Sequence, residues 1–157
     1  MVNANPGEKI LWSIALPGFA QFLNGKLIKG IVFIFLEFLV NVQSNLNTII
    51  IPSFHGQIEQ AIALTNYQWL MFYPCLYLFA IWDAYRDAGG GSGPYAFLPF
   101  VFSAFLGTIG VVYSSTLPIF GVLWGPIFLP ILFLIIGVGV GFIVKWVVLL
   151  IKGRTPV

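Results

Sequence analysis

Long apolar runs, separated by short polar or glycine-rich breaks, dominate the chain. The runs are continuous and do not alternate between apolar and polar positions, so they favour helices over strands. Four of them reach the roughly 20 residues that a helix needs to cross a membrane. These predicted spans are residues 27–51, 67–85, 96–116 and 127–151.

A shorter apolar run, residues 9–23, precedes the first predicted span. Pro17-Gly18 interrupts it, and as a helix of about 21 Å it would be too short to cross the hydrocarbon core. Trp12 and the flanking Lys9 and Lys26 suit a segment that begins and ends on one membrane face. We therefore expect an interfacial amphipathic helix or a re-entrant one.

The break between the second and third spans, residues 86–95, is rich in glycine and serine. It has neither the preceding strand nor the following Lys-Ser/Thr of a phosphate-binding loop, so it is interpreted as a flexible linker. The sequence thus predicts a single all-α membrane domain over residues 1–157, with four transmembrane helices after the N-terminal helix.

Composition supports the membrane interpretation. The chain is 59% hydrophobic and only 8% charged, far from the charge content of an ordinary soluble domain. The expected partner is membrane lipid. The net charge is only +2, and the predicted topology accounts for the positions of the basic residues. No nucleic-acid partner is therefore expected.

The positions of the cations predict an orientation. With the N-terminus in the cytoplasm, all seven Lys and Arg residues fall on or near the inner face. They are Lys9, Lys26, Lys29, Arg86, Lys145, Lys152 and Arg154. We therefore expect a multi-pass plasma-membrane protein with both termini in the cytoplasm.

The first predicted span carries a carboxylate and a row of polar residues. At 100° per residue, Glu37, Asn41, Ser44 and Thr48 form a stripe with Asn45 on its flank. Glu37 would lie about 15 Å from the entry of the helix, near the membrane midplane. The stripe is either a functional site, for a proton, a cation or a polar substrate, or a hydrogen-bonded seam between helices.

Small residues recur at four-residue spacing on the last two spans. Gly137 and Gly141 form one such pair, and Ser103 with Gly107 forms a candidate partner surface. Surfaces of this kind let helices approach closely, either within one chain or between copies.

The remaining polar residues do not assemble into catalytic machinery. The chain has one His and one Cys, and no metal cluster or nucleotide loop is recognisable, so no cofactor and no enzymatic activity are expected. His55 and Glu59 are two potential ligands without a third. Asp83 is expected to pair with Arg86 at a helix end, the alternative being Lys26 or Lys29.

The stretch from Leu16 to Gly25, LPGFAQFLNG, followed by Lys29-Gly30 and an apolar helix, resembles the opening of the TM2-domain family of small membrane proteins. Trp82-Asp83-Ala84-Tyr85 resembles the ending of the family's second helix. The resemblance covers about a third of the chain and departs from the family in its long outward connection and its second hairpin. It implies one cytoplasmic-side structural unit, formed by Pro17, Gly18, Gln21, Asn24, Gly25, Gly30 and Asp83.

Two functional hypotheses follow from the sequence. The first is a non-enzymatic assembly module that binds a second copy or another membrane protein through its glycine faces and the cytoplasmic-side unit. The alternative is a small transporter, channel or lipid-translocating protein with a polar pathway centred on Glu37.

Overall fold

The computed structural model describes residues 5–153 and shows a mostly helical chain. Within this range, nine helices and one two-stranded hairpin follow one another. The elements are α1 (Pro6–Ala15), α2 (Phe19–Leu23), α3 (Leu27–Ser44), α4 (Leu46–Phe54), α5 (Ile58–Leu64), α6 (Tyr67–Leu70), α7 (Tyr73–Asp87), α8 (Leu98–Tyr113), β1 (Pro118–Ile119), β2 (Val122–Leu123) and α9 (Gly125–Ile151). Arg154, one of the seven cations used to predict orientation, lies outside the described residues.

Two helices, α3 and α9, are long and apolar enough to cross a membrane. Their most apolar windows have mean hydropathies of 1.7 and 2.9. The other two predicted spans contain shorter helices, of 15 residues in α7 and 16 in α8. Length and composition therefore support two spanning helices rather than the four that the sequence predicts.

Large apolar side chains cover the outside of the helices, and small polar ones lie inside. Ile28, Phe38 and Ile143 are more than 60% exposed, whereas the side chains of Ser44 and Ser103 are buried. An apolar exterior of this extent is unusual for a protein surrounded by water. The arrangement is that expected for helices that face lipid.

The first predicted span, residues 27–51, is divided into two helices. Asn45 adopts the left-handed conformation, with φ of 61°, which ends α3 at Ser44 and redirects the chain into α4. Asn tolerates this conformation better than most residues, and it is a common helix end. The predicted span ends at residue 51, whereas α4 continues through Pro52 to Phe54.

The second predicted span, residues 67–85, is also interrupted. The proline ring of Pro74 would clash with the carbonyl of Leu70 in a continuous helix. The short helix α6 accordingly ends at Leu70, and α7 begins at Tyr73 with Pro74 in its first turn. The helix then continues to Asp87, two residues beyond the predicted end.

The third and fourth predicted spans, residues 96–116 and 127–151, correspond to α8 and α9. Between them lies a hairpin in which Pro118 pairs with Leu123. Pro126 occupies the first turn of α9, where its missing N–H is not needed, and Pro130 lies inside the helix. The helix α9 therefore begins at Gly125, two residues before the predicted span.

The segment 9–23 forms two helices joined by a sharp turn. Gly18 has φ of 96°, and a Cβ there would lie 2.8 Å from the carbonyl oxygen of Gly30. Both the conformation and the close approach require glycine. The helix α1 begins earlier than expected, at Pro6, where the side chain of Asn5 accepts a hydrogen bond from the Gly7 amide at 3.0 Å.

The most extensive interface joins α8 to α9 in antiparallel orientation. A Cβ on Gly137 would lie 2.4 Å from the Ser103 Cα, and one on Gly141 would lie 2.4 Å from the Pro99 Cα. On the facing helix, a Cβ on Gly107 would lie 2.6 Å from the Leu134 side chain. The small residues predicted from the sequence thus pack within one chain, and they present no free glycine face to a partner.

One end of the helix bundle is defined by ionic and polar contacts. The Lys29 ammonium near the start of α3 lies 2.7 Å from an Asp83 carboxylate oxygen near the end of α7. Lys152, which follows α9, donates a hydrogen bond to the hydroxyl of Tyr95, which precedes α8. The two hairpins therefore place these cations at the same end.

The opposite end holds the connections after α3 and α8. The Asn45 side-chain amide donates to the Leu64 carbonyl at 2.9 Å. The Ser114 hydroxyl at the end of α8 donates to the Tyr67 hydroxyl at 3.4 Å. Helices α4 and α5 thus cover this end of the bundle together with the start of α9.

The glycine-rich loop, residues 86–95, packs against aromatic rings. A Cβ on Gly90 would lie 2.4 Å from the Tyr85 ring, and one on Gly91 would lie 2.6 Å from the Trp82 ring. Gly91 also has a positive φ of 69°. These glycines are therefore needed for close contact with α7, in addition to any role as a flexible linker.

Candidate functional site: the Glu37 cavity and the Lys29 clasp

Glu37 lies halfway along α3 and is partly buried. One carboxylate oxygen, Oε1, accepts a hydrogen bond from the Tyr73 hydroxyl at 3.0 Å. The other, Oε2, is buried and has no hydrogen-bond partner among residues 5–153. A buried oxygen without a donor is costly, so this atom is a ready acceptor for a further donor.

A cavity of about 530 Å³ lies beside this carboxylate, and we call it the Glu37 cavity. Its walls come from α3, α7, α8, α9 and the turn after α1. Most of the wall is aliphatic, including Ile81, Leu134 and Val138. Volumes of this size, with an apolar wall and few polar groups, are typical of sites for small hydrophobic molecules.

Most other polar groups on the cavity wall already have partners. The Tyr77 hydroxyl donates to the Ile14 carbonyl at 2.7 Å. The Ser103 hydroxyl donates to the Leu134 carbonyl at 2.9 Å. Among the described residues that line the cavity, Glu37 is therefore the one whose side chain has a buried acceptor, Oε2, without a donor.

Tyr73 and Tyr77 were not singled out by the sequence analysis. They are four residues apart, so they lie on one face of α7, and their rings stack at 5.7 Å between centroids. The signal that could have identified them is a pair of hydroxyls at helical spacing inside an apolar run. Such hydroxyls need partners, and here the partners are Glu37 and the end of α1.

The other residues of the predicted stripe do not reach the cavity. Ser44 is buried and donates to the Asn41 carbonyl at 3.2 Å, which closes the last turn of α3. The Asn41 side chain donates weakly to Asn47, at 3.4 Å. Asn45 ends the helix, and Thr48 is exposed on α4. Asn41 lies one turn after Glu37 on α3 and beside its side chain, so the break at Asn45 separates these two residues from Asn45 and Thr48, and no continuous polar pathway follows from the stripe.

A second polar group, which we call the Lys29 clasp, consists of Gln21, Asn24, Lys29, Asp83 and Asp87. Lys29 bridges the two carboxylates, with Nζ 2.7 Å from Asp83 and 2.8 Å from Asp87. Both carboxylates lie on the last turns of α7, and their side chains are largely buried. Asp83 thus pairs with Lys29, the alternative partner, and no ion pair with Arg86 is formed in the described chain.

The clasp also ties α2 to the backbone of α7. The Gln21 amide donates to the Ala80 carbonyl at 2.9 Å, and the Asn24 amide donates to the Ala84 carbonyl at 2.8 Å. Gln21 is fully buried and lies 3.3 Å from the Asp83 carboxylate. The bond to Ala84 is a second one on that carbonyl, which also accepts from the Ala88 amide at 3.2 Å, and the two side-chain bonds fix the position of α2 against α7.

The residues that the resemblance grouped into one unit come together in space. Gly18 contacts Gly30, a Cβ on Gly30 would meet the Phe22 ring at 2.6 Å, and Gln21 and Asn24 contact α7 beside Asp83. Gly25 has φ of 72° and open space around it, so it serves the turn into α3. Pro17 belongs to the turn between α1 and α2 and also lines the Glu37 cavity. Pro17 is therefore the member of this predicted unit that reaches the cavity.

No group of three or more His, Cys, Asp or Glu residues that could hold a metal ion occurs among the described residues. His55 caps the end of α4 and Glu59 begins α5, so this pair does not share one helix. Both side chains are exposed.

Comparison with protein-family models, with curated proteins and with solved structures gives no match for this chain. The structure itself defines the class: a mostly helical protein with two helices able to cross a membrane. A partly buried carboxylate faces an apolar cavity in this protein.

Proposed function

We propose that the chain is a non-enzymatic, multi-pass membrane protein that binds a hydrophobic molecule in the Glu37 cavity. The observation that carries the proposal is the unpartnered Oε2 of Glu37 on the wall of an apolar cavity of about 530 Å³. An apolar wall favours a hydrophobic body, and the carboxylate favours one hydrogen-bond donor on it. The proposal keeps Glu37 at the centre of the transport or lipid-translocation hypothesis, but it replaces the polar pathway with an apolar binding site.

The proposal includes four membrane crossings. Helices α7 and α8 are short, but each continues through turns at its ends, and α8 packs along α9 in antiparallel orientation. The exposed apolar side chains of α8, Val101 and Phe105, support contact with lipid. Alternating direction then places Lys29, Arg86 and Lys152 on one face. The positive-inside rule assigns that face, and both termini, to the cytoplasm of a plasma membrane.

Ligand-linked stability tests the binding proposal. A molecule that binds only the folded protein raises the unfolding midpoint. We expect 1-decanol, below its solubility limit, to raise the midpoint of the detergent-solubilised chain. Val138→Trp and Ala15→Trp, which fill the cavity from α9 and from α1, should abolish the rise.

Val147→Trp is the matched control, because Val147 is as exposed as Val138 (40% against 38%) and lies on the same helix outside the cavity. An equal rise in all four proteins would show that decanol acts on the micelle or the exterior. That result would overturn the proposal.

Assembly with a second copy of the chain is the second candidate function. A groove of about 600 Å³ between α7 and α8 supports it, lined by aromatic side chains such as Trp82 and Phe105 and by the exposed Cys75. The glycine pair Gly137 and Gly141 no longer supports it, since α8 occupies that surface. A thiol crosslinker in native membranes should trap dimers through Cys75 and not in Cys75→Ser. Monomers alone would count against assembly.

The resemblance to the TM2-domain family stays a prediction. The contacts of Gln21 and Asn24 with the end of α7 support it, because they join the two motifs on which it rests.

A further inference from the structure

The ligand chemistry of the Glu37 cavity follows from the charges on its wall, an inference that rests on the proposed function. Glu37 is the one acidic side chain that lines the cavity, and no Lys, Arg or His of the described chain lines it. A carboxylate in apolar surroundings is stabilised by a cation within hydrogen-bond distance. The cavity therefore lacks the positive charge that would complement its own acidic group.

The two tyrosines beside Glu37 fix the geometry of its carboxylate. Their rings stack with an angle of 22° between planes. Their hydroxyls are held by Glu37 and by the Ile14 carbonyl, which keeps the rings in place. Glu37 Oε1 is thereby occupied by Tyr73, and Oε2 is the oxygen that can accept a donor from a bound molecule.

We propose that the Glu37 cavity selects hydrophobic amines in their protonated form, a single alkylammonium group bonding to Glu37 Oε2 and its hydrocarbon chain filling the aliphatic part of the cavity. An alcohol of the same chain length fills the same space and donates one hydrogen bond, but it brings no charge. An anionic amphiphile places two negative groups together and is excluded.

The test compares decylammonium with 1-decanol by the same shift in unfolding midpoint, at matched concentrations below micelle formation. Charge-assisted hydrogen bonds are stronger than neutral ones, and 1.4 kcal/mol corresponds to tenfold in affinity, so we expect decylammonium to bind about tenfold more tightly. In Glu37→Gln the difference should disappear, while decanol binding changes less than about threefold.

Glu59→Gln is the matched control, because it removes an exposed carboxylate that does not line the cavity and should keep the preference for the amine. Decanol binding that is retained in Glu37→Gln guards against a folding defect specific to that variant.

Each result has a distinct meaning. Equal binding of amine and alcohol, or a preference that persists in Glu37→Gln, overturns the proposed amine selectivity and leaves the cavity as a neutral hydrophobic site. Binding of neither molecule overturns the proposed function itself.

Discussion

The Lys29 ammonium lies 2.7 Å from the Asp83 carboxylate, 54 residues further along the chain, and joins the start of α3 to the end of α7. Asp87 completes the bridge at 2.8 Å. The carboxylates are about 80% buried, whereas the Lys29 side chain is 43% exposed. The ion pair is therefore partly screened, but its loss leaves two carboxylates close together.

Lys29→Met tests the contribution of the clasp to stability. Removing the cation leaves Asp83 and Asp87 without their partner, so the free energy of unfolding should fall by about 1–2 kcal/mol. Chemical denaturation in detergent measures the change. Lys26→Met is the control: Lys26 has no ion pair within residues 5–153, and its removal should cost less than about 0.5 kcal/mol.

Gly137→Ala tests the α8–α9 interface. The added Cβ would lie 2.4 Å from the Ser103 Cα, so the helices must separate, at a cost of about 1–3 kcal/mol. Gly139→Ala, two residues away with nothing within 4 Å of its Cβ, is the matched control and should not destabilise the protein. Equal unfolding midpoints for the two variants would show that Gly137 does not lie in this interface.

Substitutions at Asn45 test why α3 ends at Ser44. Asn45→Val places a β-branched residue at φ of 61° and removes the bond to the Leu64 carbonyl, so we expect a loss of about 2 kcal/mol. Asn45→Gly keeps the conformation and loses only the side-chain bond, which should cost less than Asn45→Val. A continuous helix through residue 45 would reverse this order, since Val is a better helix former than Gly.

Tyr77→Phe tests whether the Tyr77 hydroxyl holds α1 against the cavity. Without the bond to the Ile14 carbonyl, the end of α1 should open more often, and amide hydrogen exchange in α1 should become faster. Tyr73→Phe, which loses its bond to Glu37 instead, should leave exchange in α1 unchanged. Equal rates of amide exchange in α1 for the two variants would contradict the proposal that the Tyr77 hydroxyl holds α1 in place.

The sequence predicted the helical class, because long apolar runs leave little alternative to helices. Three of its five predicted helices are divided in the structure, at Pro17-Gly18, at Asn45 and before Tyr73. It also placed Glu37, Asp83 and the small residues Ser103, Gly107, Gly137 and Gly141 among the important positions. The packing of Ser103 against Gly137 agrees with the predicted partner surface. The expected pairing of Asp83 with Arg86 was wrong, because the choice between Arg86 and the alternative, Lys26 or Lys29, depends on a distance between helices that the sequence does not show.

Local backbone conformation accounts for most of the differences. The sequence does not distinguish an Asn45 inside a helix from an Asn45 in a left-handed turn. The turn is accompanied by the hydrogen bond from the Asn45 side chain to the Leu64 carbonyl, a contact between residues far apart in the sequence. Pro74 is visible in the sequence, but the prediction of a 19-residue span took no account of it. Tyr73 and Tyr77 lie inside the same apolar run, and the partners of their hydroxyls, Glu37 and the Ile14 carbonyl, depend on how the helices pack.

The most direct test of the central claim is a map of photolabelling in nanodiscs with a long-chain alkyl diazirine. We predict saturable adducts on residues 73–81 of α7 and 131–138 of α9, which line the Glu37 cavity, and their loss in Val138→Trp. Adducts that instead follow lipid exposure, on Phe142 and Ile143 for example, and that persist unchanged in Val138→Trp, would contradict a hydrophobic binding site at Glu37.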